Sequence, residues 1–552
     1  MTHDHASCFA RLAGLPEGAR PHEWQSAVAQ PTDCGNRLIR IPTGMGKTFG
    51  VLCAWVWHRL VRGDESWPRR LVWCLPMRVL VEQVVAEISA ALTRAGFDQR
   101  VRVHVLMGGV ESAEWHLAPE REAVLVGTQD MLLSRALNRG YAAPRARWPM
   151  DFGLLNQDAL WVMDEVQLMD VGLATSGQLQ AFREQDAALA GPRRPCKTWW
   201  MSATLQPAWL QASPDTRPAL GNLPQVRVAP AQRRGALWDD VRKPARIEPV
   251  ADTKKLAALV AEAHLAAGRG ASGPTLVVVN RVETANEVHD ALAANKALKG
   301  VTDLRLVHSR FRPADRAGWR EAFLNRAACA PDTDRIVVAT QVVEAGVDIS
   351  AAVLVTELAP WPSLVQRFGR SARWGGTAQV IVADAQPKDD KAAAPYTAST
   401  LDAARTALAL LNDVSPRELE AFEDAHPELL SGLYPYTPRH LLMRNEIDEL
   451  FDTSADLSGA DIDISRFIRS GEERDLQVFW RPVEPGAWPA SALRAHRDEL
   501  CSVPFLRAQE WLCDKPSGRL KPHVRAWVWD WVEGEWARTE RRQLYPGQTV
   551  LV

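Results

Sequence analysis

Two adjacent acids in the sequence follow a run of apolar residues. The stretch LWVMDEVQLMD, Leu160 to Asp170, passes from four apolar residues directly into Asp164 and Glu165. Such a switch is typical of a parallel strand that is buried on both faces and ends at the sheet edge where ligands bind. Carboxylates at that edge could hold a metal ion or activate a water molecule, although alone they could equally be solvated loop acids or a helix cap.

The stretch IPTGMGKT, Ile41 to Thr48, favours a nucleotide site. It follows the pattern GxxxxGK[ST] of a phosphate-binding loop, with Ile41 at the first glycine position. Lys47 would place a charge beside the phosphates of ATP, and Thr48 would offer a hydroxyl to Mg²⁺. The backbone N–H groups around the β- and γ-phosphates would come from the loop, which also contains Thr43, Gly44, Met45 and Gly46.

A magnesium ion would explain both acids. Mg²⁺ prefers octahedral oxygen ligands and in nucleotide sites takes one or two carboxylates, phosphate oxygens and water. We therefore expect Asp164 to hold Mg²⁺ together with Thr48, and Glu165 to orient or deprotonate the attacking water. ATP and Mg²⁺ are the predicted cofactors.

The elements that must position these residues alternate in type along the chain. The apolar runs NRLIRIPT, RRLVWCLP, EAVLVGT, ALWVMDE and KTWWMSAT predict strands, and patterns such as RVLVEQVVAEISAAL predict helices between them. This order predicts a parallel sheet. The runs PTLVVVNR, LRLVHSR, DRIVVATQ, AAVLVTE and AQVIVAD predict a second α/β domain of the same kind.

Changes in composition suggest the domain boundaries. We predict a first α/β domain over 1–225, a linker rich in proline and charge over 226–250, a second α/β domain over 251–385, a helical linker over 386–450 and a smaller accessory domain over 451–552. In the last of these, Trp527, Trp529 and Trp531 alternate, and Glu533-Gly534 could turn a hairpin. A tryptophan-rich face could stack nucleic-acid bases, but it is more often a core or an interface.

Composition excludes several classes of protein. The chain has 46% hydrophobic residues, so it is not disordered, and 65 basic against 67 acidic residues leave a net charge of −2. The basic footprint of a dedicated DNA-binding domain is therefore missing, and any nucleic-acid contact must be a local groove. The 8 cysteines form no CxxC pair, and the N-terminal sequence lacks a signal peptide pattern. We expect a soluble cytoplasmic protein without a zinc cluster or a disulfide framework.

Further motifs occur in the order and spacing of the superfamily-2 helicases. They are RPHEWQ, LPMRVLVEQ, LMGGV, VGTQD, MSATL, ATQVVEAGVDIS and QRFGRSARWGG, and together they make residues 20–385 resemble that superfamily. The resemblance implies two tandem RecA-like domains that share one nucleotide site. It also implies that Gln25 reads adenine and that Gly346 and Asp348 line the nucleotide.

The second domain is implied to complete the site. Gln366, Arg370 and Arg373 would come from QRFGRSAR, and arginines delivered in this way neutralise charge on the γ-phosphate. Because they lie on the other domain, hydrolysis would require closure, and each ATP cycle would open and shut the cleft. The residues implied to couple the domains are Gln167, Ser202, Ala203 and Thr204.

Family position also implies a groove for a nucleic-acid strand. The residues are Pro76, Arg78, Gly108, Gly109, Thr128 and Thr340. They would hold phosphates, so binding would be independent of sequence and sensitive to salt. Each of them singly could equally be a helix cap or a turn residue.

Variants of the motifs narrow the resemblance. TQVVEAGVDIS, QRFGRSAR and LVHSRFRPADR look like the Cas-three family, the helicase-nucleases of type I CRISPR interference. EVQLMDVGLATSGQLQAFR and LFDTSADLSGADIDISRFIR resemble its subtype G branch, formerly called U. The family implies a motor that translocates 3′ to 5′ on single-stranded DNA, recruited by a guide-RNA surveillance complex. We also expect a monomer without a membrane partner.

The sequence departs from the family in two places. Gln167 stands where most members carry histidine, so we expect altered coupling rather than loss. The metal-dependent HD nuclease domain is not evident, since the pair His289-Asp290 lies within the helical pattern RVETANEVHDALAAN. We expect this chain to cut no DNA by itself, with the HD nuclease either in a separate chain or in a further C-terminal region.

Two other functions remain open at this point. One is an RNA helicase of the same superfamily, which is disfavoured because QRFGRSAR and DEVQ differ from the HRIGRTGR and DEAD of that class. The other is a binding module that uses nucleotide only as a switch. A switch needs neither a water-activating acid such as Glu165 nor arginines such as Arg370 and Arg373.

Overall fold

The computed structural model describes residues 4–108, 110–111, 114–141, 143–190, 194–211, 213–300, 302–452, 462–470, 475–484, 487–505, 508, 512, 526–530, 533–539, 544 and 548–552. By its internal contacts the chain divides into two units. The first comprises Met1–Val241 with Pro416–Ser470, and the second comprises Arg242–Ser415 with Gly471–Val552. Each unit is therefore built from segments that are distant in the sequence.

The first unit contains a sheet of 8 strands in the described residues. Its strands are β1 (Arg37–Arg40), β2 (Arg70–Leu75), β3 (Arg102–Met107), β4 (Val110–Glu111), β5 (Ala123–Thr128), β6 (Ala159–Asp164), β7 (Cys196–Ser202) and β8 (Gln225–Arg227). They lie in the order β4-β3-β5-β2-β6-β7-β1-β8, and only β4 is antiparallel to its neighbour. Every residue of β2, β5 and β6 is buried, as their continuous apolar sequences predict for strands covered on both faces.

The second unit contains a six-stranded parallel sheet in its described residues. Its strands are β9 (Ala245–Pro249), β10 (Thr275–Val278), β11 (Asp303–Val307), β12 (Arg335–Ala339), β13 (Val353–Glu357) and β14 (Gln379–Asp384). They lie in the order β11-β12-β10-β13-β14-β9. The prediction of two parallel-sheet α/β domains is confirmed. β9 was not predicted, because its sequence lies in the charged segment that we assigned to a linker.

A third, mixed sheet belongs to the second unit. It is formed by β15 (Leu476–Phe479), β16 (Cys501–Val503), β17 (Trp527–Asp530), β18 (Glu535–Arg538) and β19 (Thr549–Leu551). β17 and β18 pair as a hairpin, and Gly534 in its turn has a φ of 69°. Trp527 and Trp529 are buried in a cluster with Trp536, so they serve as core rather than as a base-stacking face. Trp531 lies outside the described residues.

The helices cover the faces of these sheets and supply the segments that join them. They are α1 (His5–Ala13), α2 (Glu23–Ala29), α3 (Lys47–Trp55), α4 (Arg78–Ala95), α5 (Gln129–Ala136), α6 (Trp148–Asn156), α7 (Val171–Ala190), α8 (Thr216–Leu220), α9 (Ala236–Asp239), α10 (Thr253–Ala266), α11 (Val282–Ala293), α12 (Pro313–Arg316), α13 (Trp319–Phe323), α14 (Trp361–Phe368), α15 (Asp390–Ala393), α16 (Ala398–Leu408), α17 (Pro416–Ala425), α18 (Leu430–Leu433) and α19 (Arg444–Leu450). None of the described helices is long and apolar enough to span a bilayer.

Candidate functional site

The carboxyl edge of the first sheet brings the predicted residues into two neighbouring groups. β6, β7 and β1 are adjacent, and the loops that follow them carry Asp164-Glu165, Ser202–Thr204 and the phosphate-loop motif. β3, β5 and β2 are also adjacent, and the segments after them carry the predicted strand-groove residues of this unit. Because parallel strands all end at the same edge, ligands of such sheets bind there.

The phosphate loop has the backbone that its glycines allow. Gly44 has a φ of 91° and Gly46 a φ of 66°, and residues with a side chain rarely adopt such backbone angles. Gly46 precedes α3, and a Cβ there would lie 2.9 Å from Nε2 of Gln25. The loop therefore places the N-terminal end of α3, which begins at Lys47, where its free N–H groups and dipole favour an anion.

Lys47 supplies a buried cation at this helix end. Its Nζ lies 3.6 Å from Oε1 of Glu165, and among the described residues it has no hydrogen-bond partner. A buried amine without such a partner is unfavourable unless a ligand satisfies it. A phosphate group carries the charge and the acceptor oxygens that Lys47 lacks, so this site fits the triphosphate of a nucleotide.

Asp164 lies at the end of β6 with 6% of its surface exposed. Its Oδ2 accepts a hydrogen bond from Nε1 of Trp73 at 3.2 Å, and its Oδ1 accepts one from the backbone N–H of Glu165 at 2.9 Å. Burial raises the pKa of Asp164 to about 7, and the neighbouring Glu165 adds to this rise while Lys47 opposes it. A divalent cation would favour the ionised carboxylate, so the chemistry of Asp164 is compatible with a metal ligand.

Glu165 adopts a left-handed backbone conformation, with a φ of 53°. For a residue with a side chain this costs about 1–3 kcal/mol, and such outliers cluster at functional sites. The conformation accompanies two polar contacts, one with Lys47 and one with Gln167. The strain thus fits the role that we predicted for Glu165, in which it orients or deprotonates water.

A continuous chain of hydrogen bonds joins Glu165 to the loop after β7. Nε2 of Gln167 donates to Oε2 of Glu165 at 2.6 Å, and Oγ of Ser202 donates to Oε1 of Gln167 at 2.6 Å. The backbone N–H of Thr204 donates in turn to Oγ of Ser202 at 3.0 Å. Gln167 uses both its amide nitrogen and its amide oxygen, so it bridges the loops after β6 and β7. It does so although most members of the family that the sequence resembles carry histidine at this position. We call these four residues the coupling chain.

The remaining residues predicted for the first unit are placed as follows. The Nε2 of Gln25 donates to the carbonyl of Gly46 at 3.0 Å, and its Oε1 accepts from the backbone N–H of His22 at 2.8 Å. Gln25 therefore braces the phosphate loop in this structure. The carbonyl of Ala203 accepts from Nε of Arg40 at 3.4 Å.

The predicted strand groove contains both exposed and buried residues. Arg78 is exposed at the start of α4, and its Nη1 donates to the carbonyl of Gly108 at 2.8 Å. Pro76 and Thr128 are buried at the ends of the paired strands β2 and β5. Arg469 contacts this group, since its Nη2 donates to the carbonyl of Pro76 at 2.7 Å. Gly109 lies outside the described residues.

The second unit brings its predicted arginines together. Arg370 is 4% exposed, and its guanidinium donates to the carbonyls of Val347, at 2.6 Å, and Glu344. Nε of Arg373 lies 3.0 Å from Oδ1 of Asp348. Gly346, with a φ of 74°, lies in the same loop. We call Arg370, Arg373 and the loop residues 344–348 the arginine cluster.

Two further predicted residues of the second unit are buried. Gln366, on α14, is 5% exposed, and its Nε2 has no hydrogen-bond partner in the described part of the chain. The backbone of Thr340 directly follows β12, and its side chain is also buried.

Arg367 was missed by the sequence analysis. Its side chain is completely buried on α14, where Nε lies 2.8 Å from Oε1 of Glu344. Its other nitrogens donate to Oγ1 of Thr356 and Oδ1 of Asn280, both at 2.9 Å. Arg367 therefore fastens α14 to the arginine cluster and to the ends of β10 and β13. The apolar residues Val365 and Phe368 near Arg367 indicated a buried segment, but the sequence analysis took only Gln366, Arg370 and Arg373 from this motif.

No group of three or more metal-binding side chains occurs among the residues that the structure describes. Nδ1 of His289 lies 3.4 Å from Oδ1 of Asp290 on the exposed side of α11.

Comparison with known families gives these features a context. The family model described as DEAD/DEAH box helicase matches residues 23–212, and the model described as CRISPR-associated nuclease/helicase Cas3, C-terminal, matches residues 271–375. The chain is therefore similar to a DEAD/DEAH box helicase over one segment and to the C-terminal part of Cas3 over another. The first match contains the phosphate loop and the coupling chain, and the second contains the arginine cluster.

Curated relatives carry Cas3 names. The CRISPR-associated helicase Cas3 of Thermoproteus tenax is 27% identical over 417 residues, which are 73% of this chain and 63% of that protein. The CRISPR-associated endonuclease/helicase Cas3 of Thermus thermophilus is 26% identical over 410 residues, which are 61% of this chain and 42% of that protein. The chain thus spans less than two thirds of the length of these relatives.

Solved structures share the fold. A structure of T. fusca Cas3 with AMPPNP has a TM-score of 0.66 at 16% identity, covering 99% of this chain and 68% of that one. A structure of the DUF1998 helicase MrfA bound to DNA has a TM-score of 0.60 at 13% identity, covering 99% of this chain and 72% of that one. The predicted resemblance to the Cas-three family is confirmed, and its subtype stays a prediction.

Proposed function

We propose that this chain is an ATP-dependent translocase on single-stranded DNA that acts in type I CRISPR interference. It would move 3′ to 5′ on the strand that a guide-RNA surveillance complex displaces. The observation that carries the proposal is Lys47, which pairs with Glu165 but has no hydrogen-bond partner among the described residues, while the coupling chain joins Glu165 to the loop after β7. The Cas3-like domains give the CRISPR context.

In the proposed hydrolysis of ATP, the residues of the first unit would each have a separate role. Lys47 and the N–H groups of the phosphate loop would hold the β- and γ-phosphates. Asp164 and Thr48 would hold Mg²⁺, which neutralises phosphate charge when bound. Glu165 would accept a proton from the attacking water, whose oxygen forms a bond to the γ-phosphorus while the bond to the β,γ-bridging oxygen breaks. ADP and inorganic phosphate would leave.

We assign charge stabilisation at the γ-phosphate to Arg370 and Arg373. Such arginines are worth roughly 10³ to 10⁵ in rate. Both are held by the backbone or an acid of the loop 344–348, so they would have to exchange these contacts for phosphate oxygens. Gln366 would contribute a hydrogen-bond donor beside them, since its Nε2 has no hydrogen-bond partner among the described residues.

The coupling chain offers a route from chemistry to movement. Loss of the γ-phosphate changes the charge next to Glu165, and Gln167 and Ser202 transmit any shift of that carboxylate to Thr204. The strand groove would hold DNA through phosphates, with Arg78 as its exposed cation, so affinity would fall as salt rises.

ATP hydrolysis by the purified protein tests the proposal. We expect Mg²⁺-dependent hydrolysis that single-stranded DNA stimulates, and none above background for Lys47→Ala. Lys255→Ala, an exposed lysine of α10, is the matched control and should behave as the wild type. Stimulation by RNA alone would assign the chain to the RNA helicases, and binding of ATP without turnover would assign it to the nucleotide switches.

Two further assays address the finer parts of the proposal. Displacement of streptavidin from biotin at one end or the other of a DNA strand reports polarity, and we expect displacement from the 5′ end. Incubation of single-stranded DNA with the purified chain and Mg²⁺ or Mn²⁺ tests whether it cuts DNA by itself. We predict that it does not, and cleavage that a single substitution abolishes would contradict this.

A further inference from the structure

Lys243 is a buried amine that the proposed hydrolysis does not use. It is 2% exposed, and its Nζ donates a hydrogen bond to the carbonyl of Phe368 at 2.7 Å. Phe368 is the last residue of α14, and Gly369 and Arg370 follow it directly. Burial lowers the pKa of Lys243 to about 7, with Arg373 and Arg370 acting in the same direction and Asp413 against it. A buried amine is unfavourable unless it is hydrogen-bonded, so the contact with Phe368 is the reason that it can be buried here.

Lys243 lies where the chain enters and leaves the second unit. The chain enters between Val241 and Arg242, leaves between Ser415 and Pro416, and enters a second time between Ser470 and Gly471. The backbone N–H of Lys243 donates to Oδ2 of Asp413 at 2.8 Å, and the N–H of Val414 donates to the carbonyl of Lys243 at 2.9 Å. The entering segment, 242–245, and the leaving segment, 412–415, are therefore hydrogen-bonded to each other. We call them the crossing segments.

The entering segment also contacts the chain on the far side of the arginines. The backbone N–H of Arg242 donates to the carbonyl of Gly376 at 3.0 Å, and the N–H of Ala378 donates to the carbonyl of Arg242 at 3.0 Å. Lys243 holds the carbonyl of Phe368, which precedes Arg370, while Arg242 holds Gly376, which follows Arg373. The stretch that carries both arginines is thus fastened at each end to the same crossing segment.

We propose that Lys243 is a positioning residue that ties the arginine-bearing stretch to the crossing segments, so that the placement of Arg370 depends on the geometry of the crossing. This inference rests on the proposed ATPase function. Any change in orientation between the units has to be taken up by the backbone at the crossings. The hydrogen bond from Lys243 to Phe368 passes that change to Gly369-Arg370, and a misplacement of about 1 Å at a catalytic group can lower the rate by roughly 100-fold.

The test is a double-mutant cycle in the full chain. Lys243→Met removes the amine but keeps the length and apolar stem of the side chain, and Lys255→Met makes the same change at an exposed site. Both are compared with Arg370→Ala and with Lys243→Met/Arg370→Ala. The measured quantities are kcat and KM for ATP with saturating single-stranded DNA, and the temperature of thermal unfolding.

We expect Lys243→Met to lower kcat by roughly 10- to 100-fold while KM and the unfolding temperature stay close to those of Lys255→Met. If Lys243 acts through Arg370, the double variant is no slower than Arg370→Ala alone. The inference is overturned if Lys243→Met turns over as fast as Lys255→Met, or if it slows Arg370→Ala by the same factor as it slows the wild type.

Two outcomes need separate treatment. If Lys243→Met unfolds below the assay temperature, the same cycle is run with Lys243→Gln, which keeps a donor on a shorter side chain, and the same criteria apply. If the wild type hydrolyses no ATP with DNA or RNA, the proposed function fails and this inference fails with it. If the wild type hydrolyses ATP and Lys243→Met turns over as fast as Lys255→Met, only this inference is overturned and the proposed function stands.

Discussion

The phosphate-loop site and the arginine cluster are held in opposite ways. In the first unit, Lys47 has no hydrogen-bond partner among the described residues and Glu165 is strained. In the second, Arg370 and Arg373 are engaged by carbonyls of Val347 and Glu344 and by Asp348. In the proposed function, Lys47 would therefore meet a phosphate without giving up a hydrogen bond, whereas Arg370 and Arg373 would have to exchange internal contacts for it.

The largest effect is expected from Arg370. Arg370→Ala should lower kcat by roughly 10³-fold or more, because it removes the cation that we propose to act on the γ-phosphate. Arg367→Ala should instead lower the unfolding temperature, because it leaves Glu344 buried without its ion-pair partner, at a cost of about 3–5 kcal/mol. Steady-state kinetics and thermal unfolding of both variants check this. Equal losses of stability would remove the distinction between a catalytic and a structural arginine.

Glu165 should follow in size. Glu165→Gln removes the proposed proton acceptor and should lower kcat by roughly 10² to 10⁴-fold while ATP still binds. Glu82→Gln, on the exposed side of α4, is the matched control and should retain full activity. ATP affinity measured by fluorescent-nucleotide displacement should stay within a few-fold of the wild type. Loss of binding as well as turnover would mean that Glu165 holds Lys47 in place rather than activating water.

The coupling chain should give a smaller effect on stimulation by DNA. Gln167→Ala breaks two hydrogen bonds that join Glu165 to Ser202, each worth about 1.5 kcal/mol or less. We expect the stimulated rate to fall by about tenfold and the rate without DNA to change little. The rates are measured with and without single-stranded DNA, beside Ser202→Ala. Both variants should behave alike, since they break the same chain; additive losses in Gln167→Ala/Ser202→Ala would argue against a shared path.

The raised pKa of Asp164 predicts that the stability of the protein against unfolding depends on pH. The pKa of Asp164 is raised to about 7, so its contribution to stability is fully present below the unfolded pKa, near 3.9, and is lost as pH rises through 7. At pH 8 the wild type must bury the charged form, and Asp164→Asn should raise the unfolding temperature by about 2 °C or more in EDTA. Near pH 4 the difference should disappear. Asp186→Asn, an exposed acid of α7, should show no such pH dependence.

The smallest effect is expected at Ala372, which lies between Arg370 and Arg373 of the arginine cluster. Its φ of 39° is in the region that favours glycine, and left-handed backbone costs an alanine about 1 kcal/mol or more. Ala372→Gly removes this strain but gives the unfolded chain more freedom, so we expect a gain of about 1 kcal/mol or less. Ala294→Gly, at an exposed right-handed position after α11, should be destabilising instead. Thermal unfolding of the two variants would show whether the cluster stores strain.

Much of the fold could be predicted because it follows from the local pattern of apolar and polar residues along the sequence. The strands β2, β5 and β6 contain continuous apolar runs, so their burial on two faces and their parallel pairing were foreseeable, and shorter apolar runs predicted β1 and β7. β3 and β9 were missed because they lie towards the edges of their sheets and carry exposed charged residues, which weakens the pattern. The outermost strands of a sheet need less apolar sequence than the central ones.

The sequence by itself determined which residues could bind phosphate and Mg²⁺, because glycine spacing, a lysine at a helix start and acids after an apolar strand act over a few residues. Only the tertiary structure decided which of them meet. The adjacency of β6, β7 and β1 creates the coupling chain, and the buried contacts of Arg367 and Lys243 fasten α14. These contacts join residues far apart in the chain, and the order of strands in a sheet depends on packing rather than on local pattern.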